Sequence, residues 1–234
     1  MTQNQFKESL KKIGINISEE QLNHLQIYYQ LLVEWNEKMN LTGIVEHDSV
    51  YLKHFYDCLT IIKIVDLTKI NTMCDIGTGA GFPGLVLKII FPNLKITLID
   101  SLHKRINFLN EVIKELDLKE IETIHARIEE FGNINREKYD IATARAVAPL
   151  NVLLEYSIPV VKENGLFIAM KANAENEVEE SSNALKQLDC KVENVIKFLL
   201  PYEESNRTLI SVRKLSKTNK KFPRKYNEIK RKPL

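Results

Sequence analysis

Apolar positions in the first seventy residues of this chain recur at helical intervals. Ser18 and Gln21 have the spacing of a capping box at a helix N-terminus. The apolar face of the helix that follows consists of Leu22, Leu25, Tyr28, Tyr29, Leu32, Val33 and Trp35. Residues 40–43, Asn-Leu-Thr-Gly, end this helix, and a second amphipathic helix is predicted at about 48–65. We therefore predict an N-terminal helical extension over residues 1–70.

Beyond residue 70 the spacing between apolar residues shortens to that typical of strands in places. Brief apolar runs there alternate with helical patterns. The predicted strands are a run that ends at Asp75 and the ranges 94–100, 121–126, 139–145, 165–171, 191–199 and 207–213. The predicted helices are 85–90, 101–116 with Ser101 as its cap, 149–161 and 175–188. This order predicts an α/β domain over residues 71–213. Its sheet is doubly wound and mostly parallel, of Rossmann-like type, with seven strands and antiparallel strands closing one edge.

A glycine-rich turn follows the first strand of that domain, in Met-Cys-Asp-Ile-Gly-Thr-Gly-Ala-Gly-Phe-Pro-Gly over residues 73–84. A dinucleotide fingerprint needs Gly-x-Gly-x-x-Gly, and Phe82 breaks it. What remains, Asp-x-Gly-x-Gly-x-Gly, is typical of class I methyltransferases that use S-adenosylmethionine (AdoMet). We predict that Asp75, Gly77, Gly79 and Gly81 bind this cofactor, because glycines let the backbone approach it. A turn that only connects two elements is the alternative; the concentration of half the chain's glycines here disfavours it.

The next two strands supply candidate contacts for the rest of the cofactor. Asp100 ends the second strand about twenty residues after the glycines, where a carboxylate can accept hydrogen bonds from ribose hydroxyls. The end of the third strand leads into Arg127, Ile128 and Glu129. The adenine ring is expected there, between an apolar side chain and polar edge contacts.

Charge is distributed very unevenly along the chain. Residues 211–234 contain ten Lys or Arg and one acidic residue, a net charge of +9, whereas the preceding residues sum to −7. A basic tail over residues 214–234 suggests an anionic partner, most simply a nucleic acid backbone. Phe222, Pro223 and Tyr226 are interleaved with these charges and could stack on bases or pin the tail to its own domain. A disordered solubilising tail is the other interpretation.

Other features of the composition exclude several classes of protein. The three cysteines, Cys58, Cys74 and Cys190, form no Cys-x-x-Cys pair, so neither a disulfide framework nor a metal site is predicted. No apolar run reaches transmembrane length, and the N-terminus lacks the apolar region of a signal peptide. We expect a cytoplasmic protein without a membrane partner.

The atom that accepts the methyl group is suggested by what the sequence lacks. Methylation of an exocyclic amine typically uses an Asn/Asp-Pro-Pro-aromatic turn after the fourth strand, and residues 143–149 read Thr-Ala-Arg-Ala-Val-Ala-Pro instead. Methylation at a pyrimidine carbon needs a cysteine nucleophile after Pro or Thr, and no cysteine here has that context. A ring nitrogen with a free lone pair, such as guanine N7, needs no deprotonation, so proximity and orientation would suffice.

Several segments together resemble the bacterial small-subunit (16S) ribosomal RNA guanine-N7 methyltransferases, a family once called glucose-inhibited division protein B. The matching segments are Asn-Leu-Thr-Gly at 40–43, His-Phe-Tyr-Asp at 54–57, the glycine-rich turn at 75–84, Leu-Ile-Asp-Ser at 98–101, Lys104 with Arg105, Arg-Ile-Glu-Glu-Phe at 127–131, Ala-Arg-Ala at 144–146, Phe-Pro-Arg-Lys at 222–225 and Lys-Pro-Leu at 232–234. The chain departs from the family at Cys58, where Ser is frequent, and at Ala172, where Gly is usual.

The resemblance implies roles for individual residues. Gly77, Phe82, Ile128, Glu129 and Arg145 would line the AdoMet pocket. Arg127, Lys171 and Arg207 would join Arg145 in a basic cluster that faces RNA, with Arg224 and Lys225 of the tail as further RNA contacts. The implied partner is small-subunit ribosomal RNA or the small ribosomal subunit itself.

Arg145 is the candidate catalytic residue. Its guanidinium would hold a carboxylate of the cofactor, or a phosphate or guanine edge of the substrate, and the alternative is a structural ion pair with Glu129 or Asp140. His54 and Asp57 share a helix face; we favour a contact that orients this helix against the cofactor domain over a catalytic pair. Two other functions stay open, a small-molecule methyltransferase of the same fold and a non-catalytic RNA-binding assembly factor.

Overall fold

A seven-stranded sheet forms the centre of the protein, in a computed structural model that describes all residues 1–234. The strands lie in the order β3-β2-β1-β4-β5-β7-β6. They are β1 (Thr72–Ile76), β2 (Lys95–Asp100), β3 (Ile121–His125), β4 (Tyr139–Arg145), β5 (Val161–Lys171), β6 (Cys190–Leu199) and β7 (Asn206–Lys214). The predicted α/β architecture is therefore confirmed.

The direction of the strands sets where the crevice lies. β1 pairs in parallel with β2 and β4, and the parallel register extends to β3 on one side and β5 on the other. β7 alone runs against the others, since it pairs antiparallel with both β5 and β6. The first residues of β7 consequently lie beside the last residues of β4 and β5, because Thr208 is paired with Lys171.

Helices cover both faces of the sheet and the ends of its crevice. They are α1 (Gln3–Lys12), α2 (Glu19–Lys38), α3 (His47–Val50), α4 (Asp57–Leu59), α5 (Gly84–Ile90), α6 (His103–Glu115), α7 (Ile128–Ile134), α8 (Leu150–Ser157), α9 (Glu177–Glu180), α10 (Ser182–Gln187) and α11 (Tyr226–Arg231). The capping box of Ser18 and Gln21 is present at the start of α2.

Three predicted helices differ in detail. The helix expected at 48–65 is composite: the π-helical stretch Tyr51–Tyr56 lies between α3 and α4, and the 3₁₀ turn Thr60–Lys63 follows. Ser101 does not cap α6, because the helix begins at His103 and Asp100 Oδ1 instead accepts from the Leu102 N–H at 2.9 Å. The helix expected at 175–188 is divided into α9 and α10.

The N-terminal helices share one hydrophobic core with the sheet. Phe6, Leu25 and Tyr28 belong to the same cluster of 38 buried residues as Leu98 and Ile141 of the strands. The Tyr28 ring stacks on Phe55 at 5.5 Å between centroids, and its hydroxyl donates to the Ala80 carbonyl in the glycine-rich turn. The N-terminal helices therefore pack directly against the sheet.

The C-terminal segment, residues 215–234, packs on the other face of the sheet. Phe222 is only 1% exposed and belongs to the second core cluster. Arg136 donates to the carbonyls of Phe222 and Thr218, each at 2.6 Å. Of the two roles considered for the aromatic residues of this segment, Phe222 therefore pins the segment to its own domain. No helix combines the length and apolar character needed to cross a membrane.

Candidate active site

Two adjoining cavities open at the carboxyl ends of the parallel strands. The first, about 450 Å³, is bordered by the ends of β1, β2 and β3 and by α11. The second, about 400 Å³, lies between β4, β5, the start of β7 and the helical segment around His54. The loop after β4 separates them, since Ala146 lines the second cavity whereas Val147 and Ala148 line the first.

Asp75 shapes the glycine-rich turn beside the first cavity. This carboxyl is fully buried, and its Oδ2 accepts from Thr78 Oγ1 at 2.7 Å and from the Gly84 N–H at 2.8 Å. Burial raises the pKa of Asp75 to about 6. A Cβ at Gly84 would lie 2.2 Å from Leu98 Cδ2, so this position requires glycine. Asp75 therefore acts on the turn itself, and it does not line the cavity.

Asp100 links the same turn to the cavity wall. Its Oδ2 accepts from the Gly79 N–H at 3.0 Å and from Arg105 Nη1 at 3.1 Å. Asp100 and Gly77 both line the first cavity, as the glycine-rich pattern predicts for a cofactor site. Gly79 and Gly81 are not among the lining residues, and a Cβ at Gly81 would meet Leu85 and Tyr28.

Glu129 is the carboxylate with the fewest partners at this site. It lines the first cavity, is 6% exposed, and has Arg127 Nη1 as its nearest cation at 4.0 Å. No hydrogen bond from the protein reaches its carboxylate. Ile128 lies beside it in the cavity wall. An apolar side chain and a carboxylate with free lone pairs suit a ligand that has both a ring and polar edges.

The first cavity has the chemistry that AdoMet requires. Its apolar lining suits an adenine ring, and its acceptors suit hydroxyl and amino donors. The apolar residues include Ile76, Ile99, Ile128 and Val152, and the acids are Asp100 and Glu129. Its volume is within the usual range for small-molecule sites. The residues present therefore fit this cofactor.

Arg145 lies at the second cavity, where it is held by the N-terminal helical segment. Its Nη1 donates to Asp57 Oδ2 and to the Lys53 carbonyl, each at 3.0 Å. Its guanidinium carbon lies 5.0 Å from the centre of the Phe82 ring. The ion pair anticipated with Glu129 or Asp140 is wrong, because Asp140 binds Lys162 and Thr72 instead. Neither Arg145 nor Phe82 lines the first cavity, so a direct cofactor contact through these two side chains has no support in this geometry.

His54 fixes the other side of the Arg145 guanidinium. Arg145 Nη2 lies 3.0 Å from His54 Nδ1, and because arginine only donates, Nδ1 must be the acceptor. The proton is then on Nε2, which donates to Thr42 Oγ1 at 2.9 Å. Burial, followed by the charge of Arg145, lowers the pKa of His54 to about 3. The imidazole is therefore neutral, and its ring stacks on Phe82 at 4.3 Å.

Asp57 joins two arginines from distant strands. Besides Arg145, its carboxylate accepts from Arg207 Nε at 2.9 Å through Oδ1. The three side chains are mostly buried, and Asp57 is the sole acid among the residues that line the second cavity. The π-helical stretch Tyr51–Tyr56 ends one residue before Asp57, and such stretches are frequent at functional sites. The His54 and Asp57 pair thus orients this helical segment against the sheet through Arg145.

Lys171 holds the loop that separates the cavities. Its Nζ donates to the Ala148 carbonyl at 2.6 Å and pairs with Glu177 Oε2 at 2.7 Å. The same Glu177 oxygen accepts from the Leu150 N–H at 2.7 Å. Lys171 borders the second cavity, but its charge is already engaged by Glu177.

The predicted RNA contacts are distributed over three places. Lys171 and Arg207 line the same cavity as Arg145. Arg127 is separate from that cluster: it lies at the rim of the first cavity, its side chain is 54% exposed, and its guanidinium packs 4.8 Å over the Tyr226 ring. Arg224 forms three hydrogen bonds with the buried Glu155, and Lys225 is exposed.

Several residues that line these cavities are not among the predicted site residues. Lys53 and Asn173 line the second cavity, and Tyr226 and Lys230 line the first. Lys53 immediately precedes the His-Phe-Tyr-Asp segment at 54–57, so the family resemblance pointed to this part of the chain. Tyr226 was noted as an aromatic residue among basic ones, but only the packing of the C-terminal segment places it at the first cavity.

Comparison with known proteins gives one consistent result over nearly the whole chain. Residues 21–210 match the family described as rRNA small subunit methyltransferase G. Proteins named Ribosomal RNA small subunit methyltransferase G from Bacillus licheniformis and Bacillus subtilis are 51% and 48% identical to this chain, with 98% of each chain covered. One of the same name from Oceanobacillus iheyensis is 48% identical over the full length of both.

Solved structures share the fold at low identity. A SAM dependent methyltransferase from Aquifex aeolicus superposes with a TM-score of 0.52 and 18% identity, covering 72% of this chain and 94% of that one. A predicted O-methyltransferase from Agrobacterium tumefaciens gives a TM-score of 0.55 at 17% identity, covering 68% and 81%. The fold is therefore that of the class I AdoMet methyltransferases, as predicted.

Proposed function

This chain belongs to the family of ribosomal RNA small subunit methyltransferase G, and from that premise we propose that it transfers a methyl group from AdoMet to N7 of a guanine in small-subunit ribosomal RNA. AdoMet supplies an electrophilic methyl group on a sulfonium. The protein's task is then to place a nucleophilic ring atom in line with it.

The observation that carries this proposal is the arrangement of the two cavities on either side of residues 146–148. The first has the apolar walls and carboxylates of a nucleoside site, with Asp100 and Glu129 positioned to accept from hydroxyl or amino groups. The second is bordered by Lys53, Arg145, Lys171 and Arg207. A cofactor in the first and an extruded base in the second would meet across one short loop.

The state of the titratable groups in the second cavity supports N7 as the target. Asp57 is engaged by two guanidinium groups, and His54 uses both ring nitrogens in hydrogen bonds to Arg145 and Thr42. Neither is free to take a proton from a substrate. An exocyclic amine benefits from such a base, whereas N7 of guanine attacks with an existing lone pair.

Charge around the second cavity supports an RNA substrate. Four cationic side chains border it, and Glu203, Glu177 and Asp57 pair with them, so an excess of one positive charge remains to attract an anion. Arginine is also well suited to guanine, since its planar fork can donate to O6 and N7 or to a phosphate. During methylation a donor must leave N7 free, so we assign Arg145 to O6 or to the phosphate of the target nucleotide.

The test is methyl transfer from tritiated AdoMet to small ribosomal subunits and, separately, to naked rRNA, both from cells that lack this gene, followed by nucleoside analysis. Label in 7-methylguanosine at one site is the expected result. Label in another nucleoside would refute the choice of N7. AdoMet binding without transfer to either RNA would favour a small-molecule substrate, and no binding at all would favour an assembly factor.

A matched pair of variants ties the activity to the second cavity. Arg207→Ala removes a cation from this cavity, whereas Lys69→Ala removes a cation that is 80% exposed and precedes β1, at the amino ends of the parallel strands. We expect transfer to RNA to fall by at least tenfold in the first variant and to stay within twofold in the second. Equal activities of the two variants would show that RNA does not bind in the second cavity.

A further inference from the structure

We propose that the C-terminal flap, residues 226–233, is part of the cofactor site, where it forms the outer wall of the first cavity against the adenosine end of AdoMet. The inference rests on the proposed function, since it presumes that AdoMet occupies this cavity. It assigns the flap a role that its basic composition does not suggest, because that composition points to RNA alone.

The first observation is that three flap residues line the first cavity. Tyr226, Lys230 and Pro233 border it together with Ile128 and Glu129, which are about one hundred residues earlier in the chain. Arg127 packs on the Tyr226 ring at 4.8 Å and so joins the flap to the end of β3. That strand end is where the adenine ring is expected. The flap therefore contacts the part of the cavity that recognises the base.

The second observation is that the flap is firmly anchored on both sides. On its N-terminal side, Arg224 donates to Glu155 through its N–H, Nε and Nη2, at 2.9, 2.8 and 2.6 Å, and Glu155 is fully buried. Within the flap, Ile229 is fully buried. Beyond it, Asn151 Nδ2 donates to the Leu234 carbonyl at 3.4 Å. A segment held in this way can present fixed side chains to a ligand.

The chemistry of the lining residues suits the base and not the charged end of the cofactor. Tyr226 offers an aromatic ring and Pro233 an apolar surface. Both can pack against the planar adenine heterocycle. Tyr226 is 37% exposed and lines the cavity, and the Arg127 guanidinium at 4.8 Å and Lys230 Nζ at 5.9 Å lie over its ring. The neighbouring Asn227 and Arg231 are also exposed but do not line the first cavity.

Asn227 and Arg231 therefore serve as matched controls for Tyr226 and Lys230 on the same helix. We would measure the Kd of S-adenosylhomocysteine by calorimetry in the absence of RNA, for the full chain and for Tyr226→Ala, Asn227→Ala, Lys230→Ala and Arg231→Ala. The expected result is a five- to tenfold weaker Kd for Tyr226→Ala, a smaller loss for Lys230→Ala, and values within twofold for Asn227→Ala and Arg231→Ala. A Tyr226→Ala Kd within twofold of the unaltered protein would overturn the inference.

A second measurement needs no substitution. Trypsin can cleave after Lys225, just before the flap, and after Lys230, within it. If the flap contacts the adenosine, saturating S-adenosylhomocysteine should slow these cleavages at least threefold. Equal rates with and without the ligand would contradict the inference. If the unaltered chain binds no S-adenosylhomocysteine, the proposed function fails and this inference with it. If it binds and Tyr226→Ala binds equally well, only the role of the flap is refuted.

Discussion

Arg145, the last residue of β4, donates to the Asp57 carboxylate at 3.0 Å, and this ion pair joins the N-terminal helical segment to the centre of the sheet. Both side chains are mostly buried, at 15% and 7% exposure. The same carboxylate binds Arg207, so one acid from the N-terminal segment positions two cations of the second cavity. The N-terminal helical segment therefore borders the second cavity as well as contributing to the core.

Arg145→Ala should separate binding of the cofactor from transfer to RNA. From the sequence alone, we would expect loss of transfer with little change in thermal unfolding. The ion pair with Asp57 alters that expectation, since removing one partner of a buried pair costs about 3 kcal/mol. We now expect a stability loss of that order, at least a hundredfold drop in transfer, and S-adenosylhomocysteine affinity within threefold.

Arg213→Ala, which breaks the more exposed pair with Glu193, is the control for loss of a strand arginine. Calorimetry and a transfer assay at equal protein concentration measure both quantities. Affinity for S-adenosylhomocysteine that falls in parallel with transfer would instead place Arg145 at the cofactor.

His54→Gln should remove one cause of acid instability. In the folded protein the pKa of His54 is lowered from its usual 6.5 to about 3, so only the unfolded chain takes up this proton as the pH falls. Below pH 6.5 the folded state therefore loses stability, by about 3 kcal/mol between pH 7 and pH 4. Between pH 7 and pH 4, urea unfolding should show a change in stability that is less favourable by about 3 kcal/mol in the unaltered protein than in the variant. Parallel pH dependences would contradict the neutral, buried imidazole.

Asp75→Asn should reveal a pH dependence of the opposite sign. The pKa of Asp75 is raised from its usual 3.8 to about 6, so the folded state holds this proton more tightly than the unfolded chain does. Stability attributable to Asp75 is thus lost as the pH rises through this window, by about 3 kcal/mol in full. Relative to the unaltered protein, the Asn variant should become more stable on going from pH 4 to pH 7, as measured by urea unfolding. A constant difference would show that folding does not raise the pKa of Asp75.

Tyr28→Phe should test whether the N-terminal helices support the glycine-rich turn. The Tyr28 hydroxyl donates to the buried Ala80 carbonyl, and loss of that donor should cost about 1–3 kcal/mol. The turn should also loosen, so the Kd of S-adenosylhomocysteine should rise at least threefold. Tyr29→Phe is the matched control, because its hydroxyl donates to Val45 in a more exposed place. Equal effects of the two substitutions would show that the Tyr28 contact does not shape the turn.

Gly84→Ala should be destabilising although alanine is the better helix former. The added Cβ would lie 2.2 Å from Leu98 Cδ2 and 2.9 Å from Asp75 Oδ2, so the packing must shift at a cost of about 1–3 kcal/mol. Gly43→Ala should change stability by less than about 0.5 kcal/mol, since no atom lies within 4 Å of its added Cβ. Thermal unfolding of both variants measures the difference, and a neutral Gly84→Ala would contradict the close approach of α5 to β2.

The fold was predictable because its signals are local. Glycines at 77, 79, 81 and 84 must follow a strand and precede a helix, and the alternation of strands and helices after residue 90 leaves few other topologies. The location of Asp100 at the crevice follows for the same reason, since the carboxyl ends of parallel strands meet at one side of the sheet.

The partners of the charged residues were not predictable in this way. Asp57 and Arg207 are 150 positions apart, and no spacing rule connects them. The π-helical stretch before Asp57 is also invisible to a period of 3.6 residues, because it changes the helical phase that such an analysis assumes. The flap shows the same limit, since its charges suggested RNA while its position depends on Phe222 and Arg224 packing against distant residues.

The reversed direction of β7 brings the turn that precedes it to the second cavity and not to the first, so the two cavities can be altered independently. Because β7 begins at the crevice, the turn at residues 200–205, between β6 and β7, lies at the mouth of the second cavity, and Lys53 pairs there with Glu203 at 2.7 Å. Every residue that lines the first cavity comes from elsewhere in the chain. Hairpin turns accept insertions more readily than strands do. Exchanging this one turn is thus a route to redirecting the enzyme toward other RNA shapes while its methyl donor site is left intact.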